Sequence, residues 1–234
     1  MASINTNYGA MVAAQSLSNT SRELDKTQNR VTTGLKVSSA KDNGAIWAIA
    51  TTQKANANAL DSSINTLQRQ QSVAEVGLAA GDTIMSALSE MKTLEAAILA
   101  GGSGTASYQA DYDALSAEIT AAVTAATFDG TAALTTPAGG TPPATVAAGG
   151  VQTAIDAWTG TLQTIGTNAK SYERQITFNT KLQDSLEAGA GNLVDADLAK
   201  ESAKLTALQT KQQLGVQALS IANSSSSILL SLFR

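Results

Sequence analysis

The chain of 234 residues contains no cysteine and no histidine, and aromatic residues make up only 4% of it. Without cysteine there can be no disulfide, thiolate nucleophile or cysteine-bound metal. Without histidine the chain lacks the commonest general base and metal ligand. The remaining residues show no combination of acid, base and nucleophile typical of an active site, so we expect no enzymatic activity, no metal and no cofactor.

Basic clusters and long apolar runs are also missing. No two Lys or Arg residues are adjacent and the net charge is −4, so the sequence has no footprint for a nucleic-acid backbone. No apolar run reaches 18 residues, so we expect no membrane-spanning helix. The first residues form neither a basic segment nor an apolar segment, so we expect no cleaved secretory signal.

Charge is absent from both ends of the chain. Arg22 is the first charged side chain, and no charged residue lies between Lys211 and Arg234. Helices that face water carry charges on their outer side. The two ends therefore suit helices that are surrounded by protein on most sides.

Apolar residues recur every seven positions at both ends, as in coiled coils. Near the start the stripe consists of Ala10, Leu17, Leu24 and Val31. Near the end, one stripe begins with Leu198, Leu205 and Leu208, and a second follows with Leu214, Ile221, Ile228 and Leu232. Leu219 and Leu230 lie on another face of that last helix, so one partner helix cannot cover all of its apolar surface. We predict helices over residues 6–33 and 196–232, with Asp195 as the N-cap of the second.

The middle of the chain is also predicted to be helical, over residues 43–99, 107–127 and 151–188. Glycines predict a turn at residues 101–104 and a helix break at residues 189–192. All three prolines lie in the loop 131–150. Within this loop, residues 132–135 and 144–147 form either a short hairpin or a plain loop.

These patterns predict a mainly all-α fold in a hairpin-like chain. The paired N- and C-terminal helices form a coiled coil, and the long helices form a bundle. We expect a terminal domain of residues 1–40 with 195–234, and an outer domain of residues 41–194 that carries the turn-rich loop 131–150.

Two terminal segments resemble bacterial flagellins. The opening Ile4-Asn5-Thr6-Asn7 and the later Arg30-Val31-Thr32-Thr33-Gly34-Leu35 are similar to the start of that family, including its Arg-Leu-Ser-Ser-Gly-Leu segment. Residues 194–203, 212–223 and 229–234 are similar to its C-terminal end. The resemblance covers about residues 1–128 and 151–234.

The resemblance implies a structural subunit of the flagellar filament that assembles with itself for swimming motility. Its implied location is extracellular, after export without a cleaved signal peptide. Its implied partners are other copies of the chain, the flagellar export machinery, a secretion chaperone, the filament cap and the hook-junction proteins. The expected filament-core interface consists of Ile4, Leu17, Leu24, Val31, Leu35, Leu198, Leu205, Leu214, Leu219, Ile221, Ile228 and Leu232.

One segment departs from the family in a way that suggests a phenotype. Flagellins that are detected by the animal innate immune flagellin receptor resemble Leu-Gln-Arg-x-Arg-Glu-Leu where this chain has Leu88-Ser89-Glu90-Met91-Lys92-Thr93-Leu94. Glu90 reverses a charge that contacts the receptor, so the altered motif, Glu90, Lys92 and Leu94, predicts weak or no activation.

Two other functions fit parts of the sequence. A hook–filament junction protein shares a similar terminal organisation. An intracellular helical-bundle scaffold or chaperone would instead be folded to its ends as a monomer.

Overall fold

A computed structural model describes the backbone of residues 7–232 and the side chains of residues 7–224. The helices are α1 (Tyr8–Thr33), α2 (Gly44–Ala100), α3 (Thr105–Ala125), α4 (Gly150–Val194) and α5 (Leu198–Leu232). The strands are β1 (Thr127–Phe128) and β2 (Thr131–Ala132). The predicted mainly all-α fold is confirmed, with pairing of the terminal helices and a small antiparallel sheet.

The chain forms two compact units. The terminal unit combines Met1–Asn56 with Ser185–Arg234, and the central unit is Ala57–Asp184. These units are defined by packing within the chain. The domains expected from the sequence, residues 1–40 with 195–234 and residues 41–194, stay a prediction.

The terminal unit contains the antiparallel pair of α1 and α5. Asn7 caps α1, because its side-chain oxygen accepts a hydrogen bond from the Ala10 amide at 3.0 Å. Gly34 ends the helix in the left-handed conformation, with φ of 71°, and its amide donates to the Arg30 carbonyl. A bridge between Leu35 and Asp195 then joins the two chain segments at this end of the pair.

The central unit has a core between α2, α3 and α4. Its largest fully buried side chains are Trp158, Tyr112, Ile84, Leu88, Met91 and Val151. Two of them also hold the loop between β2 and α4: the Trp158 indole donates to the Gly140 carbonyl at 2.8 Å, and the Tyr112 hydroxyl donates to the Pro143 carbonyl at 3.2 Å. The proline-containing loop is therefore packed onto the helices.

Of the two alternatives for residues 132–135 and 144–147, the hairpin between them is wrong and the plain loop is the one that applies, because residues 127–132 form the small hairpin instead. The strands pair Thr127 with Ala132 and Phe128 with Thr131, and neither 132–135 nor 144–147 forms the predicted pair. Asp129 and Gly130 connect the strands with φ values of 50° and 72°. Positive φ at both central residues is the geometry of the tight hairpin turn that an Asp-Gly pair favours.

The predicted helix break at residues 189–192 was also wrong. Helix α4 continues through them to Val194, because Ala190 and Val194 are buried in a small core with Val37 and Ala50. This packing offsets the low helix propensity of the two glycines.

The predicted N-cap of α5 was wrong as well. Asp197 caps the helix, since its carboxylate accepts from the Lys200 amide at 3.1 Å. Asp195 is instead part of the bridge to Leu35.

Candidate functional site: the terminal helix pair

Helices α1 and α5 meet along a seam with alternating spacings of three and four residues. On α1 the buried or half-buried positions include Ala10, Ala13, Leu17, Thr20, Leu24, Thr27 and Val31. On α5 they include Glu201, Leu205, Leu208, Gln212, Gly215, Leu219 and Ala222. This spacing is that of a coiled coil.

Three contacts along the seam show which residues lie opposite one another. The Asn7 side-chain amide donates to the Ala222 carbonyl at 2.8 Å. Leu17 packs over Gly215, where a Cβ atom would lie 3.2 Å from the leucine Cδ1. Arg30 and Glu201 form an ion pair at 2.9 Å.

Backbone hydrogen bonds fix the end of the seam near Gly34. The Ala196 amide donates to the Gly34 carbonyl at 2.8 Å, and the Val37 amide donates to the Val194 carbonyl at 3.2 Å. Asp42 organises the loop that follows, because one carboxylate oxygen accepts from the amides and hydroxyls of Ser38 and Ser39. These hydrogen bonds, led by that of the Ser38 hydroxyl, lower the pKa of Asp42.

Large apolar side chains remain exposed on both terminal helices. On α5, Leu214 is 58% exposed and Ile221 is 69% exposed. They are seven residues apart and so share one face, which we call the outer stripe. At the start of α1, Tyr8, Met11 and Val12 are also exposed. Clustered apolar exposure of this kind marks interaction surfaces.

A groove runs beside the seam on another side of α5. Its volume is about 460 Å³, and its lining includes Ala14, Leu17, Val216 and Leu219. Because Val216 lies about 160° from Leu214 around the helix, apolar surface is open on two sides of α5. A single partner helix therefore leaves this helix incompletely covered.

The arrangement is one of binding surfaces. Among the described residues no three acidic side chains come together as a metal site. Within the same part of the chain, no helix is long and apolar enough to cross a membrane.

Comparison with known sequences decides the family. The bacterial flagellin N-terminal helical region matches residues 4–136, and the C-terminal helical region matches residues 148–233. The chain belongs to the bacterial flagellin family. It is 47% identical to flagellin FljO of Caulobacter vibrioides, covering 99% of this chain and 98% of that protein. It is 34% identical to a flagellin of Brucella melitensis, with both chains covered in full.

Family membership confirms the function implied by the resemblance. This flagellin is a structural subunit that assembles with copies of itself into the extracellular flagellar filament used for motility, and it is not an enzyme. The Caulobacter alignment extends over 269 positions, so it contains positions that this 234-residue chain lacks.

The residues expected at the filament core fall into three groups. Leu17, Leu24, Val31, Leu205 and Leu219 lie in the seam, and Leu35 lies at the bridge beside it. Leu198, Leu214 and Ile221 are exposed. Ile4 lies outside the described residues, as do the side chains of Ile228 and Leu232.

The structure separates the residues of the altered receptor motif. Glu90 is exposed on α2. The Lys92 ammonium, also exposed, donates a hydrogen bond to the Gln152 side chain of α4. Leu94 is half-buried against the central core, while the neighbouring Leu88 and Met91 are fully buried.

Sequence reasoning missed the polar contacts of this flagellin's seam. The sequence motifs contain Asn7, Arg30 and Glu201 but give no partner for any of them. The signal for the ion pair was a pair of opposite charges beside the apolar stripes, Arg30 on one helix and Glu201 on the other.

Proposed function

We propose that the outer stripe of α5, together with the exposed start of α1, forms contacts between subunits of the filament. The observation that carries this proposal is the exposure of Leu214 and Ile221 within a segment that has no charged residue from Gln212 to Phe233. A helix face that stays in water does not need to exclude charge. A face that becomes enclosed by other subunits does, because an unpaired charge would be buried.

The energy available from this surface is substantial. Full burial of a Leu or Ile side chain contributes about 1.5–3 kcal/mol. Leu214 and Ile221 each retain more than half of their exposure in the single chain, so most of this gain is open to a neighbouring subunit.

Charged substitutions test the outer stripe. We expect Leu214→Asp with Ile221→Asp to raise the critical concentration for polymerisation by at least about tenfold, since two charges would be enclosed at the contact. Seeded polymerisation, measured by sedimentation, gives this concentration.

The matched control is Lys204→Asp with Lys211→Asp. It places the same side chains seven residues apart on exposed positions of the same helix, where charge already stands. The control should polymerise nearly as the original chain does. Equal loss in both variants, or no loss in the first, contradicts the proposal.

A wider interface between filament subunits is proposed for the whole terminal domain, residues 1–40 with 195–234. We infer that this domain lines the inner tube of the filament and that Ile4, Ile228 and Leu232, whose side chains lie outside the described residues, belong to the filament-core interface. Residues 41–194 then form the outer domain. On the same family basis, the proposed further partners are the export machinery, a secretion chaperone, the filament cap and the hook-junction proteins.

A separate proposal concerns the innate immune receptor. We propose that Glu90 keeps the activation of the animal flagellin receptor weak, because an exposed carboxylate stands where detected flagellins carry Arg. A charge reversal at an interface costs several kcal/mol.

Reporter cells that express the receptor test this with purified monomer. Glu90→Arg should raise the response by about tenfold, whereas Asp82→Arg, an exposed acid on the same helix, should not. Strong activation by the unaltered chain contradicts the proposal.

A further inference from the structure

The seam between α1 and α5 mixes large apolar side chains with small and polar ones. Many of its positions hold small or polar residues, among them Ala10, Ala13, Thr20, Thr27, Gln212, Gly215 and Ala222. After a shift of seven residues the same heptad positions face one another again. Small side chains pack about equally well in both alignments, so they distinguish weakly between them. Apolar packing therefore selects the alignment weakly, and the backbone hydrogen bonds near Gly34 and the polar contacts along the seam add to the selection.

Among the described residues, Arg30 and Glu201 form an ion pair across the seam. The Glu201 side chain is only 13% exposed, and its Oε1 atom lies 2.9 Å from the Arg30 Nη1 atom. Its other oxygen, Oε2, is buried without a hydrogen-bond partner among the described residues. An incompletely hydrogen-bonded buried pair adds little net stability. Buried polar groups in coiled coils are best known for selecting the register of the helices.

Both neighbouring registers are unfavourable because of these two residues. In the observed register Arg30 lies opposite Glu201 and Leu17 opposite Gly215. A shift of one heptad in one direction brings Glu201 opposite Glu23, where two like charges repel. A shift in the other direction brings Arg30 against Leu208, a buried side chain, and leaves its charge unpaired.

We propose that Arg30 and Glu201 are positioning residues that select the register of the terminal helix pair. The backbone bridge at Leu35 holds one end of the pair, and Asn7 contacts the other. The ion pair acts between them. The consequence for assembly rests on the proposed function, since the register decides where along the filament Leu214 and Ile221 present the outer stripe.

Engineered disulfides can report the register directly, because the chain has no cysteine of its own. A Cβ atom at position 215 would lie 3.8 Å from the Leu17 Cβ, which is about the mean separation in disulfides. Leu17→Cys with Gly215→Cys therefore reports the observed register. Leu17→Cys with Leu208→Cys, or with Ala222→Cys, reports a shift of one heptad in either direction.

Each cysteine pair is placed in the full chain, polymerised on seeds under reducing conditions and then oxidised. Intramolecular cross-links are measured by mass spectrometry after the filament is dissolved. In the otherwise unaltered chain the 17–215 cross-link should dominate.

Replacing the ion pair with apolar side chains of similar length, Arg30→Met with Glu201→Met, should lower the ratio of the 17–215 cross-link to the shifted cross-links by at least about tenfold. The charge exchange Arg30→Glu with Glu201→Arg should restore the ratio of the 17–215 cross-link to the 17–222 cross-link. It should not suppress the 17–208 cross-link, because the shift that this cross-link reports places the Glu201→Arg side chain opposite Glu23. The control Asp25→Met with Lys204→Met removes one exposed charge from each helix and should leave the ratio unchanged.

A 17–215 cross-link that stays dominant without the ion pair would overturn the inference, as would a charge exchange that fails to restore the ratio of the 17–215 cross-link to the 17–222 cross-link. The outcome is separate from that of the proposed function. Leu214→Asp with Ile221→Asp should raise the critical concentration for polymerisation, while the filaments that form above this concentration should keep the cross-link pattern of the original chain.

Discussion

A glycine in the middle of helix α2 provides a sharp test of how the central unit packs. A Cβ atom on Gly81 would lie 2.1 Å from one methyl carbon of Leu162 on α4 and 2.9 Å from the other. Replacing Gly with Ala in a helix interior normally stabilises it by about 1 kcal/mol. At Gly81 this gain is opposed by overpacking, which costs about 1–3 kcal/mol. We therefore expect Gly81→Ala to lower the free energy of unfolding by about 0–2 kcal/mol.

Gly160 supplies the matched control on α4. It also lies inside a helix, but a Cβ atom there would meet nothing within 4 Å. Gly160→Ala should raise the free energy of unfolding by about 1 kcal/mol. The difference between the two variants removes the propensity contribution and leaves the cost of the contact with Leu162.

Urea unfolding of the full-length monomer, followed by circular dichroism, measures both free energies. The two variants should move the midpoint in opposite directions, or Gly81→Ala should leave it unchanged while Gly160→Ala raises it. If Gly81→Ala stabilises the chain as much as Gly160→Ala does, the close approach of α2 and α4 at Leu162 is wrong.

Three further predictions concern titratable side chains. Glu95 is buried and accepts a hydrogen bond from the Gly150 amide at the start of α4. Glu95→Ala should therefore lower the free energy of unfolding in urea by about 1–3 kcal/mol. The control Glu90→Ala, at an exposed position, should lower it little, and equal losses in the two variants would contradict the contact. Burial first, and then Glu95 and Asp113, raise the pKa of Tyr112 above its usual 10. Its contribution to stability is therefore present below pH 10 and lost as pH rises through the raised value, so Tyr112→Phe should flatten the alkaline decline and remove a late step from the ultraviolet titration. The pKa of Asp42 is lowered from 3.8 by its hydrogen bonds to Ser38 and Ser39. The contribution of Asp42 to stability is therefore present above pH 3.8 and is lost as the pH falls through the lowered pKa. An Asp42 carboxyl that titrates at or above pH 3.8 by NMR would refute this.

The periodic helices of this flagellin could be predicted closely from the sequence. Helices at 6–33 and 196–232 were predicted, and the structure has Tyr8–Thr33 and Leu198–Leu232. The heptad spacing of large apolar residues is a local signal that needs no knowledge of the partner. The glycine-rich turn after α2 was predictable for the same reason, because several glycines in succession disfavour a helix.

Features that depend on distant packing could not be predicted in this way. Helix α4 passes through two glycines because Ala190 and Val194 are buried against residues more than 130 positions earlier in the chain. The strands lie beside the Asp129-Gly130 turn, where the turn geometry favoured a hairpin more strongly than the strand-like residues further along. The contacts of Asn7 with Ala222 and of Arg30 with Glu201 require the register of two helices, which neither sequence segment contains alone.

Thiol labelling at the outer stripe tests the central claim most directly. Ile221→Cys places the only thiol of the chain on the face that is proposed to become enclosed. A maleimide should label it readily in the soluble monomer and at least about tenfold more slowly in the filament, and full labelling should return when the filament is dissolved. Equal labelling rates in monomer and filament would show that the outer stripe stays in water, and the proposed subunit contact would be wrong.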